Sequence, residues 1–323
     1  DRQGNPTVKD KIGYGQCFGM YAFSEYYMAT GDERGKIAAE NTYNAVSANM
    51  ADTCFGGFYE IMNQDWQPRE GERSGGNRKS MDVHMHMMEA MTNMYEMTRS
   101  KTHHCRLLEI IDLIDKRMID PVTGTGGIQY TWDFTPLPAI IFDVKWGRDA
   151  DPEDKISRPL NYTSYGHNVE FAWLLLHAGD ILGEGKEKYV PMVKKILDHC
   201  VKYGIDRQMG GVLVEGPRQN YPTITEKQFW QQAEVLVGLL DGYAIFGEEQ
   251  YWDAFINVYN FVSKKFINWN AGGEWYERVD RKGVPIDSAL GHAWKISYHT
   301  VRSMIQVVKR LDRILAIDGL LTK

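Results

Sequence analysis

Residues 164–173 read SYGHNVEFAW, and the reading of this stretch decides that of the rest of the chain. Tyr165-Gly166 ends a loop. A helix follows in which His167 and Glu170, three residues apart, share a face. Trp173 and Leu174–Leu176 then carry that helix into a core. A histidine and a carboxylate in a first helical turn suit proton transfer, because the unpaired backbone N–H groups and the positive end of the helix dipole face the same space. A histidine there can equally serve as a cap or a filler. The case for chemistry rests on similar clusters opening other helices.

Working outward, apolar spacing and stop signals predict helices over Lys9–Thr30, Glu33–Met50, Asp82–Thr98 and Thr102–Met118. Further helices are expected from His167 to Leu182 and over Lys186–Tyr203, Glu226–Phe246, Glu248–Phe266 and Trp294–Ala316. Segments of the long loop before His167, such as Ile140–Val144, read as short strands. The connections alternate between short and long. Helices that follow a long loop or the chain start carry the unusual residues: His84 and His86, His167 and Glu170, Trp230 and Glu234, His299 and Arg302. The others are ordinary amphipathic segments such as YVPMVKKILDHCVKY. This is the pattern of a barrel of helical hairpins. The inner helices start at one shared mouth, roofed by the long loops, and short turns lead to outer partners. An odd number of helices does not close such a ring, so helices are expected to precede Asp1.

Composition excludes several classes. With 323 residues and 43% hydrophobic content, the chain can bury one large core or two modest ones, and the hairpin barrel reads as a single domain over 1–323, expected to be incomplete at its N-terminus. A net charge of −6 argues against nucleic acid or an anionic membrane as partner. No apolar run is long enough to span a bilayer. Cys17, Cys54, Cys105 and Cys200 are dispersed with no CxxC, which reads as free thiols in a reducing, cytoplasmic compartment. Nine tryptophans suit a protein that stacks flat, partly apolar ligands such as sugars.

The clusters refine this. In SMDVHMHMMEA, His84 and His86 point to different sides of a helix, while His86 and Glu89 share a face. In KQFWQQAE, Trp230 and Glu234 are one turn apart, so a sugar could stack on the indole while the carboxylate takes its hydroxyls. In HAWKISYHTVR, Trp294, His299 and Arg302 span the start of the last helix and offer a second candidate base. His103-His104-Cys105 lies in a turn away from the mouth and is a poor metal site. TGTGG lacks the GxxxxGK[ST] pattern of a phosphate loop.

Seven segments in order resemble the N-acylglucosamine 2-epimerase superfamily, nearest to its cellobiose (mannobiose) 2-epimerase branch. They are YGQCFGMYAFSEYYMATGD, GGFYE with its downstream DW, HMHMMEAMTNMYE, SYGHNVEFAWLL, FWQQAE, GEWYERVDRKG and YHTVRSM. The resemblance implies an all-α (α/α)6 barrel and a cytoplasmic isomerase acting on a mono- or disaccharide, as monomer or homodimer. It implies that His167, His299 and His86 are active-site histidines. Glu170, Trp173, Trp230, Glu234 and Trp294 match sugar-contacting positions. Asn168 stands where the family usually has Asp, and Phe229 and Gln231 depart from a WWPQAE pattern. The chemistry implied is removal of the C2 proton of an open-chain aldose, giving a planar enediolate, and protonation from the other face. Two bases near neutral pH suffice, with no redox cofactor or metal. Protonation at C1 would instead give a ketose. A non-catalytic sugar-binding barrel would have no use for both histidines, and a glycoside hydrolase would need two carboxylates such as Glu170 and Glu234 across the scissile bond.

Overall fold

The computed structural model describes residues 2–143, 157–183, 185–287, 289–292 and 295–317. Four hairpins of α-helices and a ninth helix make up the described chain. They are α1 (Gly13–Thr30), α2 (Glu33–Asn49), α3 (Met81–Thr98), α4 (Lys101–Arg117), α5 (Tyr165–Leu182), α6 (Val190–His199), α7 (Phe229–Phe246), α8 (Glu249–Phe261) and α9 (Tyr298–Ile317). Turns within hairpins are short because a left-handed residue ends one helix and the next starts at once. Gly31 (φ 72°) precedes the Asp32 cap of α2, Arg99 (φ 50°) the Ser100 cap of α4, and Gly247 (φ 65°) leads into α8.

The odd-numbered helices pack side by side in the order α1, α3, α5, α7, α9, and each of the first four carries the following even-numbered helix. Burial separates the layers. α3, α5 and α7 are enclosed nearly all round, whereas α4 buries one stripe: His103, Leu107, Ile110, Ile111 and Ile114. Fully burying each such Leu, Met or Val contributes about 1.5–3 kcal/mol. The α5–α7 contact is close enough that a Cβ on Gly238 would lie 2.3 Å from Val169 Cγ1. Gly238→Ala would therefore force the two helices apart. α1 and α9 stand at the ends of the row. They meet through Tyr298, whose ring is 4.5 Å from that of Phe18 and 5.9 Å from that of Tyr21. The architecture is the expected all-α one of an (α/α)6 barrel; among the described residues its ring is not closed.

A repeat that periodicity did not reveal ties the hairpins together. Each of α1, α3, α5 and α7 is entered from a short strand, which pairs antiparallel with a strand beyond the outer helix of the same hairpin. Lys11–Ile12 pairs with Ile61–Met62, Lys79–Ser80 with Gln129–Tyr130, Tyr162–Ser164 with Glu215–Pro217, and Lys227–Gln228 with Arg278–Val279. In three units the outer helix ends in a turn whose Asp accepts backbone N–H bonds two and three residues on: Asp52, Asp120 and Asp206. Lys79 reaches back to Asp52 at 2.7 Å, and Lys227 to Asp206 at 3.3 Å, all four side chains being buried. Deleting one partner of such a pair costs about 3–5 kcal/mol.

Several boundaries differ from the sequence reading. α1 starts at Gly13 rather than Lys9 because Lys11–Ile12 form a strand, and α8 ends at Phe261, with Val262–Phe266 in a π turn. α7 starts at Phe229 rather than Glu226 because Lys227–Gln228 are taken by the strand. α6 is split: Lys186–Lys188 form a 3-10 turn, and Cys200–Gly204 a π turn after the α-helical part. α9 starts at Tyr298. Of the strand expected over Ile140–Val144, residues 140–143 are irregular and Val144 lies outside the described residues. No helix among the described residues is long and apolar enough to cross a membrane.

Candidate active site

The first turns of α3, α5, α7 and α9 open at one end of the helix row, beneath the long loops. Ser164 starts α5 by accepting the His167 N–H, and Ser80 starts α3 by accepting that of Val83. Gly166 lets α7 close in: a Cβ there would lie 2.5 Å from Gln231 Cγ and 3.0 Å from the Trp230 ring. The Trp230 indole thereby packs beside two imidazoles. Its ring centre is 4.5 Å from that of His167 and 5.4 Å from that of His299. Two openings flank His167. One, of about 490 Å³, is lined by Glu60, Asp82 and Asn168, and the other, of about 710 Å³, by Arg158, Glu226 and Trp230.

The two histidines of α3 separate as the spacing predicts. His84 Nδ1 donates to the Ser80 carbonyl at 2.8 Å and its Nε2 accepts the Phe58 N–H at 3.0 Å. Burial pushes it down to about 4, so it is a neutral structural group. His86 is equally enclosed, and burial alone would lower it too. Its Nε2 lies 3.3 Å from Asp82 and its Nδ1 3.0 Å from Glu89, and these carboxylates raise it to about 10. The two carboxylates thus favour the imidazolium form of His86.

His299 Nδ1 donates to Glu234 Oε1 at 2.7 Å, which leaves Nε2 as the nitrogen with no hydrogen bond among the described residues. Glu234 Oε1 also accepts from Arg302 at 2.8 Å, and its Oε2 accepts the Trp173 indole N–H at 2.9 Å. Burial opposes the Glu234 charge, but Arg302 and His299 hold its carboxyl below the usual range. Glu170 goes the other way, raised by burial and by Glu234 beside it. Glu89 is held down to about 2 against burial by Arg302, His86 and Tyr298.

The geometry gives partners to three of the residues expected at the site. Glu170 shares a helix face with His167, yet its carboxylate turns to Arg302 at 2.7 Å and lies 4.0 Å from His299 Nδ1. Glu234 and Trp173, which match sugar-contacting positions, are buried and engaged with each other and with Arg302. Trp230, half-buried, retains a face toward the mouth, and Trp294 lies outside the described residues. The sequence reading missed Asp82, Tyr298 and Glu60. Asp82 approaches His167 Nε2 at 3.5 Å as well as His86. The i, i+4 spacings Asp82–His86 and Tyr298–Arg302 were the available signals. Glu60, pushed up to about 8 by burial, carried none. Glu170, Glu234 and His299 also bring donor atoms within 4.8 Å of one another, the spacing of a metal site. The Arg302 guanidinium already occupies the cation position between the two carboxylates.

A helical-hairpin framework with two imidazoles and an indole at one mouth is, in this chain, that of a carbohydrate epimerase, an isomerase. The chain belongs to the N-acylglucosamine 2-epimerase family, whose family profile matches residues 1–303. A cellobiose 2-epimerase of Ruminococcus albus is 27% identical over 96% of this chain and 74% of its own length. A D-mannose isomerase of Marinomonas mediterranea is 22% identical, covering 92% of this chain and 71% of its own. The solved structure of a cellobiose 2-epimerase from Bacillus thermoamylovorans superposes with a TM-score of 0.82 at 24% identity, covering 96% of this chain and 74% of that one.

Proposed function

We propose that this protein inverts C2 of the reducing-end aldose of a mono- or disaccharide, of the cellobiose, mannobiose or N-acylglucosamine type, with His167 and His299 as paired acid–base groups. The observation that carries the reading is the approach of both imidazoles to one indole, at 4.5 and 5.4 Å. A sugar stacked at Trp230 would lie within reach of both. One imidazole removes the C2 proton of the open-chain aldose, the electron pair moves into the C1–C2 bond, and O1 takes up the charge. The other imidazole returns a proton to the opposite face of C2, and the double bond reverts to the aldehyde. His86, an imidazolium, supplies positive charge near the developing enediolate. Glu234 fixes the His299 tautomer. Trp294, by its place in HAWKISYHTVR, is the proposed second stacking residue.

The second reading, aldose–ketose isomerisation, is favoured by the likeness to a D-mannose isomerase. It uses the same enediolate and differs in delivering the proton to C1. A hydrolytic role for Glu170 and Glu234 is disfavoured, since both carboxylates are enclosed and bound to Arg302.

The test is incubation with cellobiose, mannobiose, mannose and N-acetylglucosamine in deuterated water, followed by NMR. Epimeric aldose carrying deuterium at C2 supports the proposal. A ketose carrying deuterium at C1 supports the second reading, and no exchange on any of the four sugars overturns both.

A further inference from the structure

Three carboxylates from three inner helices converge on one guanidinium. Arg302 Nη2 is 2.7 Å from Glu170 Oε1 on α5 and 2.8 Å from Glu234 Oε1 on α7, while Nη1 donates to Glu89 on α3. The Tyr298 ring lies 3.8 Å from the guanidinium carbon on one side and the Trp173 ring 4.7 Å from it. The side chain is 9% exposed. Two of these carboxylates each hold an imidazole by Nδ1: Glu234 that of His299 and Glu89 that of His86. The Tyr298 hydroxyl closes the arrangement by donating to Glu89, at 2.6 Å from Oε2.

We propose that Arg302 is a positioning residue which joins the His299–Glu234 and His86–Glu89 pairs into one unit. The orientation of His299 then depends on Glu89, a residue it does not touch. The inference rests on the acid–base reading of His299 given above. Its physical basis is the planar guanidinium fork, which fixes the angle between the carboxylates it binds. Glu170 and Glu234 lie side by side in a buried place, where two like charges persist only with a cation between them. Removing the fork lets Glu234 turn or take a proton, and His299 loses its acceptor. Lysine keeps the charge but is a point donor that cannot span three carboxylates. The titratable and charged groups facing the guanidinium are Glu89 and His86 from α3, Glu170 from α5 and Glu234 from α7. Tyr14 and Tyr21 face it from α1, and Tyr298 and His299 from its own helix.

Arg302→Lys and Glu89→Gln in the full chain test this, with the folded fraction of each measured by circular dichroism and thermal melting. The kinetic readout is kcat against KM. The spectroscopic readout is the His299 Nδ1–H proton resonance, which needs no substrate. Arg302→Lys is expected to lower kcat by about 100-fold and Glu89→Gln by about 10-fold, with KM changed less than about threefold. Both substitutions should move the His299 resonance. A folded Glu89→Gln protein with the wild-type His299 resonance overturns the coupling, whether or not Arg302→Lys folds. A rise of KM in Arg302→Lys as large as the fall of kcat would make Arg302 a sugar contact instead. If the wild-type protein exchanged C2 protons on no sugar, the functional reading would fail while the resonance still decided the coupling.

Discussion

His167 and His299 occupy equivalent places, each in the first turn of an inner helix and each beside Trp230, yet their surroundings differ. His299 has Nδ1 fixed by a carboxylate at 2.7 Å, and Arg302 stands behind that carboxylate. His167 meets Asp82 more loosely, at 3.5 Å from Nε2, and its side chain is 27% exposed against 11% for His299. One imidazole is pre-organised in a single tautomer, while the other takes its place from the indole it packs on and from whatever enters the mouth. In the proposed two-base inversion this would divide the labour: a rigid base would define the position of C2, and a more adaptable one would meet both epimers.

The largest effects should come from the imidazoles themselves. His299→Ala and His167→Ala should each lower kcat by about 10³-fold or more with sugar affinity largely kept, because the lost contacts belong to the transition state. Steady-state kinetics and sugar titrations would check this. The double variant should be little worse than either single one, and one-sided C2 exchange should persist in one of them. A His299→Ala protein at near wild-type rate would falsify the assignment.

The next test breaks the comparison directly. If carboxylate support is what separates the two sides, Glu234→Gln should cost about 10–100-fold in kcat, and Asp82→Asn, whose contact with His167 is looser, distinctly less. Equal losses would show that the two sides are held alike. Trp230→Ala acts on both sides at once. It should weaken sugar binding by about 1–3 kcal/mol, read by calorimetry, with unchanged affinity for every accepted sugar counting against a stacking role.

A smaller effect sharpens what carboxylate support does to a buried histidine. His86, with two carboxylates, is raised to about 10, and His84, with backbone partners, is lowered to about 4. For His86 the folded value lies above the ordinary one near 6.5. Its stabilisation is therefore fully present below pH 6.5 and is lost as pH rises through about 10. Nitrogen-15 spectra at pH 8 should find His86 doubly protonated and His84 neutral. A neutral His86 at that pH would mean that desolvation outweighs both carboxylates.

Much of the helical layout was legible because its signals are local. Gly31 and Gly247 stop helices, Asp32 and Ser100 start them, and the alternation of short and long connections sorts inner from outer. The strand that delays α7 to Phe229 was not legible. Lys227–Gln228 pairs with Arg278–Val279, fifty residues away, and a two-residue strand has no periodicity to read.

The site divides along the same line. The sequence by itself determined what one helix can hold: His167 in a first turn, His86 and Glu89 on one face, His84 turned away from them. A helix sets the neighbours of a residue at three and four positions without reference to anything else. Only the tertiary structure decided which carboxylate serves which imidazole. Glu170 is three residues from His167 yet turns to Arg302, and His299 takes its partner from α7. That choice depends on the spacing and register of α5, α7 and α9. A buried guanidinium draws in every carboxylate within reach, because each of those charges is tolerable there only beside an opposite one.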